Sequence, residues 1–144
     1  MIEKLTVPAS LDSLKPIAEY VMKVAKMFGL EKKAMYKLRL AVDELATNIA
    51  NYAYADNDNP QEKEIFLESD ISEGALIITI KDNGVPFDPT NKIESEIEVT
   101  KEPIEERKIG GLGIFLAFDG VDDFSYQRVN EQNISVLTVY HSTD

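Results

Sequence analysis

The sequence contains no cysteine, which excludes disulfides, thiolate zinc sites and cysteine nucleophiles. It also contains no long apolar run, and its first ten residues, MIEKLTVPAS, carry charge within four positions. Neither a secretory signal nor a transmembrane helix is therefore predicted. These absences predict a cytoplasmic location and no membrane contact.

Basic residues are scarce, since 15 Lys and Arg stand against 26 Asp and Glu and give a formal net charge of −11. Nucleic-acid binders that follow the phosphate backbone need clustered basic residues, so direct nucleic-acid binding is not expected. The acidic balance weakly favours basic protein partners. A nucleotide would need a local positive site made of backbone N–H groups, a divalent cation or a few basic side chains.

The 144 residues, 44% of them hydrophobic and 28% charged, predict one globular domain over residues 1–144. Hydrophobic spacing predicts two helices, from about Leu11 to Phe28 and from about Glu31 to Tyr52, with Gly29 ending the first. Strands are predicted at residues 2–7, 63–70, 75–82, 121–129 and 134–141. This order predicts an α+β two-layer sandwich with a mixed, mostly antiparallel sheet and helices on one face.

The first candidate site is the segment AVDELATNIANYAY of the second helix. Glu44 and Asn48 are four residues apart, so they project from the same face. A carboxylate beside an amide oxygen suits a hydrated magnesium ion and a hydroxyl awaiting deprotonation. A solvated polar helix face is the far more frequent explanation of an isolated Glu-x-x-x-Asn, so this pattern alone establishes no site.

The second candidate site is KDNGVPFDPT, in which Asp82 ends an apolar strand and Gly84 follows it. An acidic acceptor there can hold an exocyclic amino group such as that of adenine, and a glycine lets the backbone approach a flat ring. Asp-Asn-Gly is also a favourable turn sequence, so a purely structural turn stays open beside the binding interpretation.

The third candidate site is RKIGGLGIFLAF, at the end of an irregular stretch from Asn83 to Gly113 that is long enough to be a functional loop or lid. Glycines that open into a short helix, expected at residues 112–118, can present free N–H groups to phosphate. Basic residues beside them would add positive charge. A flexible loop hinge is the competing explanation. The residues concerned are Arg107, Lys108, Gly110, Gly111, Leu112 and Gly113.

Taken in this order and spacing, the three segments resemble the N, G1 and G2 boxes of the GHKL (Bergerat-fold) ATPases, which include gyrase B, the ninety-kilodalton heat-shock chaperones, histidine kinases and MutL. Within that superfamily the short length, the run DNGVPFDP and the two closing strands resemble the anti-sigma factor serine/threonine kinases. The resemblance extends over essentially the whole chain.

The resemblance implies a cofactor set of ATP and Mg²⁺ and a role for each matching residue. Glu44 would be the general base, and Asn48 would coordinate magnesium. Asp82 would bind the adenine amino group in a pocket shaped by Gly84. The glycines of the third segment, with the backbone at Leu112, would close on the phosphates.

The function implied is that of an anti-sigma regulator that phosphorylates a serine of a small STAS-type antagonist protein and also binds a sigma factor, with a homodimer favoured by family analogy. The alternative is a catalytically silent, ATP-dependent interaction switch. The catalytic half of a histidine kinase is disfavoured because no dimerisation helix pair with a phospho-accepting histidine is visible. His141 has no motif around it, so a structural or surface role is expected for it.

Overall fold

A computed structural model of the chain describes residues 1–53, 63–86 and 121–141. One sheet contains all five described strands, in the order β1-β2-β3-β5-β4. The strands are β1 (Ile2–Pro8), β2 (Glu64–Ile71), β3 (Ala75–Asp82), β4 (Asp123–Val129) and β5 (Gln132–Tyr140). The apolar strand β3 is central, as its composition predicted. Every pairing among the described strands is antiparallel, so the parallel component of the predicted mixed sheet is not found in this part of the chain.

Two helices, α1 (Leu14–Phe28) and α2 (Lys32–Asn48), pack on one face of the sheet and confirm the α+β sandwich. The α-helix begins at Leu14, after a 3₁₀ turn at Leu11–Ser13, and not at Leu11 as predicted. With this start Pro16 falls in the first turn, where backbone N–H groups have no intrahelical partner, so its missing N–H is harmless. In residues 1–53, 63–86 and 121–141 no helix has the length and apolar character needed to cross a membrane.

The ends of the two helices differ. Gly29 ends α1 as predicted, with a φ of 91° in the left-handed region that favours glycine. The second helix continues past Asn48 as a π-helical turn at Ile49–Ala53, so the predicted end near Tyr52 includes this wider turn. Single π turns are frequent at functional sites, which directs attention to this end of α2.

The core lies between the sheet and the helices, and alternate residues of β3 and β5 enter it. Most of these inward positions are apolar: Leu76, Ile78, Ile80, Leu137 and Val139. At one end of the two strands the same alternation instead buries Asp82, Asn133 and Ser135. The strand register sets Asp82 directly opposite Asn133. The inner face of the sheet is therefore apolar at one end and polar at the other.

His141 follows the opposite end of β5 from this polar group and packs against the end of α1. Its ring stacks on Phe28 with the centroids 3.9 Å apart and an interplanar angle of 19°. The glycine that follows Phe28 lies close by, because a Cβ built at Gly29 would stand 3.6 Å from His141 Cε1. His141 thus makes a packing contact, in agreement with the structural role expected for it.

Candidate functional site

Asp82, the last residue of β3, is only 3% exposed and points into the polar end of the inner sheet face. Its Oδ1 accepts hydrogen bonds from the backbone N–H of Gly84 and from Asn133 Nδ2, both at 2.9 Å. Its Oδ2 accepts no hydrogen bond from any residue in the described ranges. One carboxylate oxygen therefore anchors the strand end, while the second remains able to accept a donor from a ligand.

The hydrogen bond from Gly84 to Asp82 is the bond of an Asx turn, so the turn that Asp-Asn-Gly predicts does form. The turn occupies only Oδ1. An anchoring role in the turn and an acceptor role toward a ligand are therefore compatible, because they use different oxygens of the same carboxylate.

A small polar network holds the carboxylate and the turn in place. Asn133 Nδ2 also donates to the carbonyl oxygen of Val85 at 2.7 Å, and its Oδ1 accepts a hydrogen bond from the Tyr126 hydroxyl. The guanidinium of Arg128 donates to the carbonyl oxygen of Gly84 at 2.7 Å. Because Asn133 has a partner on each end of its amide, its nitrogen faces Asp82 and its oxygen faces Tyr126.

The charge on Asp82 depends on this surrounding network. Burial raises the pKa of its carboxyl above the ordinary value of 3.8, and the hydrogen bonds from Asn133 and Gly84 and the positive charge of Arg128 oppose that rise. Because burial remains the largest influence, the ionised carboxylate gains from any further donor that reaches Oδ2. The exocyclic amino group of a purine is a donor of this kind.

Glu44 and Asn48 lie one turn apart in the last two turns of α2, on the same side of the helix. Asn48 is 3% exposed and is the last α-helical residue before the π-helical turn, whereas Glu44 is half-buried. Ile49, which follows Asn48, and Ile80, two residues before Asp82, belong to the same hydrophobic core. The end of α2, which carries Glu44 and Asn48, and the end of β3, which carries Asp82, therefore pack against the same core.

The six residues predicted to grip phosphate lie outside the described residues, and so does the helix expected at residues 112–118. They are Arg107, Lys108, Gly110, Gly111, Leu112 and Gly113.

Sequence reasoning missed the network residues Tyr126, Arg128 and Asn133. A signal for one of them is present in the strand pattern. Inward positions of β5 alternate as Asn133, Ser135, Leu137 and Val139, so two polar residues continue an otherwise apolar inward row. Buried polar residues in such a row need partners, which makes them candidates for a site. Arg128 and Tyr126 lie on β4, the outermost of the described strands, whose mixed composition carries no comparable signal.

Comparison with known proteins gives a family match that covers most of the chain. The family described as histidine kinase-like ATPase domain matches residues 7–139. The serine-protein kinase RsbW of Oceanobacillus iheyensis is 35% identical over 111 residues, which are 76% of this chain and 66% of that protein. RsbW of Listeria monocytogenes is 36% identical over 101 residues, 69% of this chain and 62% of its own. RsbW of Bacillus cereus is 28% identical over 137 residues, 93% of this chain and 81% of its own. The chain thus spans slightly under two thirds of the first two of these relatives.

Two solved structures share the fold. The RsbU and RsbW domains of a Mycobacterium tuberculosis protein align with a TM-score of 0.66 at 12% identity, over 99% of this chain and 33% of that one. The SiaB–SiaC complex of Pseudomonas aeruginosa aligns with a TM-score of 0.61, also at 12% identity, over 96% of this chain and 89% of the matched chain. At these identities the alignments support the helix-on-sheet fold alone.

Proposed function

Since this chain belongs to the family of histidine kinase-like ATPase domains, we propose that it is an ATP-dependent serine/threonine protein kinase and anti-sigma regulator. Its relatives named serine-protein kinase RsbW supply the reaction type. The substrate would be a serine of a small STAS-type antagonist protein, and a sigma factor would be the second partner. A homodimer and a cytoplasmic location remain predictions from family analogy and from the sequence.

Nucleotide binding is best supported by the different surroundings of the two Asp82 carboxylate oxygens. Its Oδ1 holds Gly84 and Asn133, and its Oδ2 has no hydrogen bond from the described residues. An adenine amino group donates, so Oδ2 can accept it. The backbone at Gly84 has no side chain to obstruct the face of the ring.

Asn48 fits the role of a magnesium ligand. Mg²⁺ in kinase sites takes one or two protein oxygens and fills its remaining positions with phosphate oxygens and water, so one amide oxygen is enough. Bound there, Mg²⁺ would neutralise charge on the triphosphate. The described residues contain no cluster of three acidic, histidine or cysteine side chains that would hold a metal without phosphates.

Glu44 is the proposed general base, one turn before Asn48. In the transfer step the serine hydroxyl oxygen bonds to the γ-phosphorus as the bond to the bridging oxygen breaks, and Glu44 accepts the hydroxyl proton. The products are phosphoserine and ADP, and the proton on Glu44 passes to solvent. The phosphate-gripping roles of Arg107, Lys108, Gly110, Gly111, Leu112 and Gly113 remain part of this proposal.

Incubation with radiolabelled ATP, magnesium and the candidate antagonist protein tests the kinase. The wild type should label a serine of the antagonist, and Glu44→Ala should abolish labelling while ATP still binds. Glu19→Ala, which removes an exposed glutamate from α1, is the matched control and should label normally. ATP binding without labelling by the wild type would support the interaction switch instead. Labelling by Glu44→Ala at the wild-type level would show that Glu44 is not the general base.

A further inference from the structure

Helix α2 carries an exposed stripe that leads to Glu44 and has no role in ATP binding as proposed. Residues three, four and seven apart lie on the same side of a helix, so Lys33, Lys37, Leu40 and Glu44 form one row. Tyr36 lies one turn before Leu40, at the side of this row. At a rise of about 1.5 Å per residue, the row extends roughly 16 Å from Lys33 to Glu44. We call this exposed surface the α2 stripe, and it consists of Lys33, Tyr36, Lys37 and Leu40.

The α2 stripe exposes apolar surface next to the site. Tyr36 is 50% exposed and Leu40 is 41% exposed, whereas Leu38 and Val42 on the opposite side of the helix are fully buried. The side of α2 that faces the core is thus already packed against the sheet and α1. Tyr36 and Leu40 provide apolar surface that this core packing does not use. Tyrosine is enriched at the centres of protein interfaces, where a large ring contributes contact area.

The α2 stripe is also basic, although the whole chain has a net charge of −11. The first two turns contain Lys32, Lys33 and Lys37, and the first turn contains no acidic residue. The positive end of the helix dipole lies at the same place, and the exposed Glu31 at the N-cap offsets only one of the three lysines, so this end of α2 keeps a local excess of positive charge. Within the described ranges none of the three forms an ion pair, whereas Arg39 contacts Asp43 at 3.5 Å. The local field therefore suits an acidic partner.

We propose that the α2 stripe is the docking surface for the protein substrate, which meets it with an acidic surface that also carries apolar contacts. This inference rests on the proposed kinase function, because it assigns the surface beside the base to the substrate. Leu40 and Lys37 precede Glu44 by about 6 and 10 Å along the helix axis. A substrate seated there brings a serine at its edge to the proposed base.

This local preference differs from the one that overall composition predicts. The net charge of the chain favours basic partners, but charges separated by more than about 8 Å are largely screened at physiological ionic strength. A partner that touches α2 therefore responds to the lysines of the α2 stripe more than to acidic residues elsewhere. The sigma factor and the substrate can accordingly have different charges.

Steady-state phosphorylation of the antagonist protein by two pairs of variants tests the docking surface. Lys33→Glu reverses a charge at the second residue of α2, and Lys15→Glu makes the same change at the second residue of α1, where the lysine is also exposed. Leu40→Ala removes an apolar side chain that is 41% exposed, and Met27→Ala removes one with the same exposed fraction from α1. The two variants of each pair thus carry a similar chemical change, one on the α2 stripe and the other on α1.

Lys33→Glu and Leu40→Ala should each raise the KM for the antagonist by about fivefold or more, with kcat and the Kd for ATP unchanged. Lys15→Glu and Met27→Ala should leave all three values unchanged. Lys33→Glu places a negative charge at the positive end of the helix dipole, which favours the helix, so unfolding would not explain its effect. The wild-type KM should also rise with salt, and it should rise less in Lys33→Glu.

The outcomes separate the docking surface from the kinase function. If the wild type labels no antagonist, both proposals fail. If it labels the antagonist but Lys33→Glu and Leu40→Ala behave like their controls, the kinase stands and the docking surface is refuted. Light scattering provides a further test, because a wild-type dimer that Leu40→Ala converts to a monomer would show that the α2 stripe joins two copies of this chain and would overturn the proposal.

Discussion

Asp82→Asn should weaken ATP binding without weakening the fold, because the two oxygens of the carboxylate have different partners. Oδ1 faces two donors, the Gly84 N–H and Asn133 Nδ2. In the variant these donors should hold the amide oxygen at the Oδ1 position, which places the new NH₂ group where Oδ2 was. That group is a donor, and the adenine amino group is also a donor. The substitution therefore replaces an acceptor with a repelling partner while the turn is retained.

The expected loss of affinity follows from the strength of one hydrogen bond to a charged group. Such bonds contribute about 1.5–3 kcal/mol, so the Kd for ATP should rise roughly 10- to 150-fold. Guanine carries a carbonyl oxygen at the corresponding position, and the new NH₂ group can donate to it. The preference for ATP over GTP should therefore decrease in the variant.

The stability of the same variant has a definite pH dependence. Burial raises the pKa of Asp82, so the protonated form is favoured in the folded state. The stability gained in this way is complete below the ordinary value of 3.8 and is lost as the pH rises through the raised pKa. The amide does not titrate. The unfolding free energy of Asp82→Asn minus that of the wild type should therefore increase from acid to neutral pH.

Calorimetric titration with ATP and GTP, together with urea denaturation across this pH range, measures these effects. Asp123→Asn is the matched control, because it removes the same charge from an exposed position on β4 and should bind ATP normally. Unchanged ATP affinity in Asp82→Asn would refute the adenine assignment. A large loss of stability at neutral pH would show instead that the ionised carboxylate supports the fold.

Two further predictions concern the scaffold. Tyr20→Phe should lower the unfolding free energy by about 1–3 kcal/mol in urea denaturation. The variant loses the hydroxyl that contacts the fully buried Ser69 Oγ at 2.6 Å and donates to the carbonyl oxygen of Glu3 at 2.9 Å. An unchanged midpoint would show that Ser69 finds another partner. Glu131→Gly should raise the unfolding free energy by roughly 1 kcal/mol, because Glu131 has a φ of 66° in the two-residue turn between β4 and β5. Glu131→Ala, which keeps a Cβ, is its control and should give no comparable gain.

Local signals in the sequence predicted most of the secondary structure in the described residues. Alternating apolar residues predicted the central strand β3, and helical spacing with Gly29 predicted the end of α1. The start of α1 did not follow from the apolar spacing, which begins at Leu11, whereas the α-helix begins at Leu14 with Pro16 in its first turn. Periodicity reports which side of an element is apolar, and it does not report where a helix begins.

In the candidate site, too, some contacts follow from local sequence spacing and others depend on the tertiary structure. Glu44 and Asn48 are neighbours on one helix, so their spacing alone brings them together, and Asp82 and Gly84 are neighbours at one strand end. The contact between Asp82 and Asn133, which are 51 positions apart, depends on the pairing of β3 with β5, and no local pattern specifies that pairing. The sequence by itself therefore determined the fold class through short-range periodicity, and the order and spacing of three short motifs, through their family resemblance, indicated the candidate residues. Only the tertiary structure decided which oxygen of Asp82 is occupied and that the α2 row leading to Glu44 is exposed, because strand register and burial are set by contacts between residues far apart in the chain.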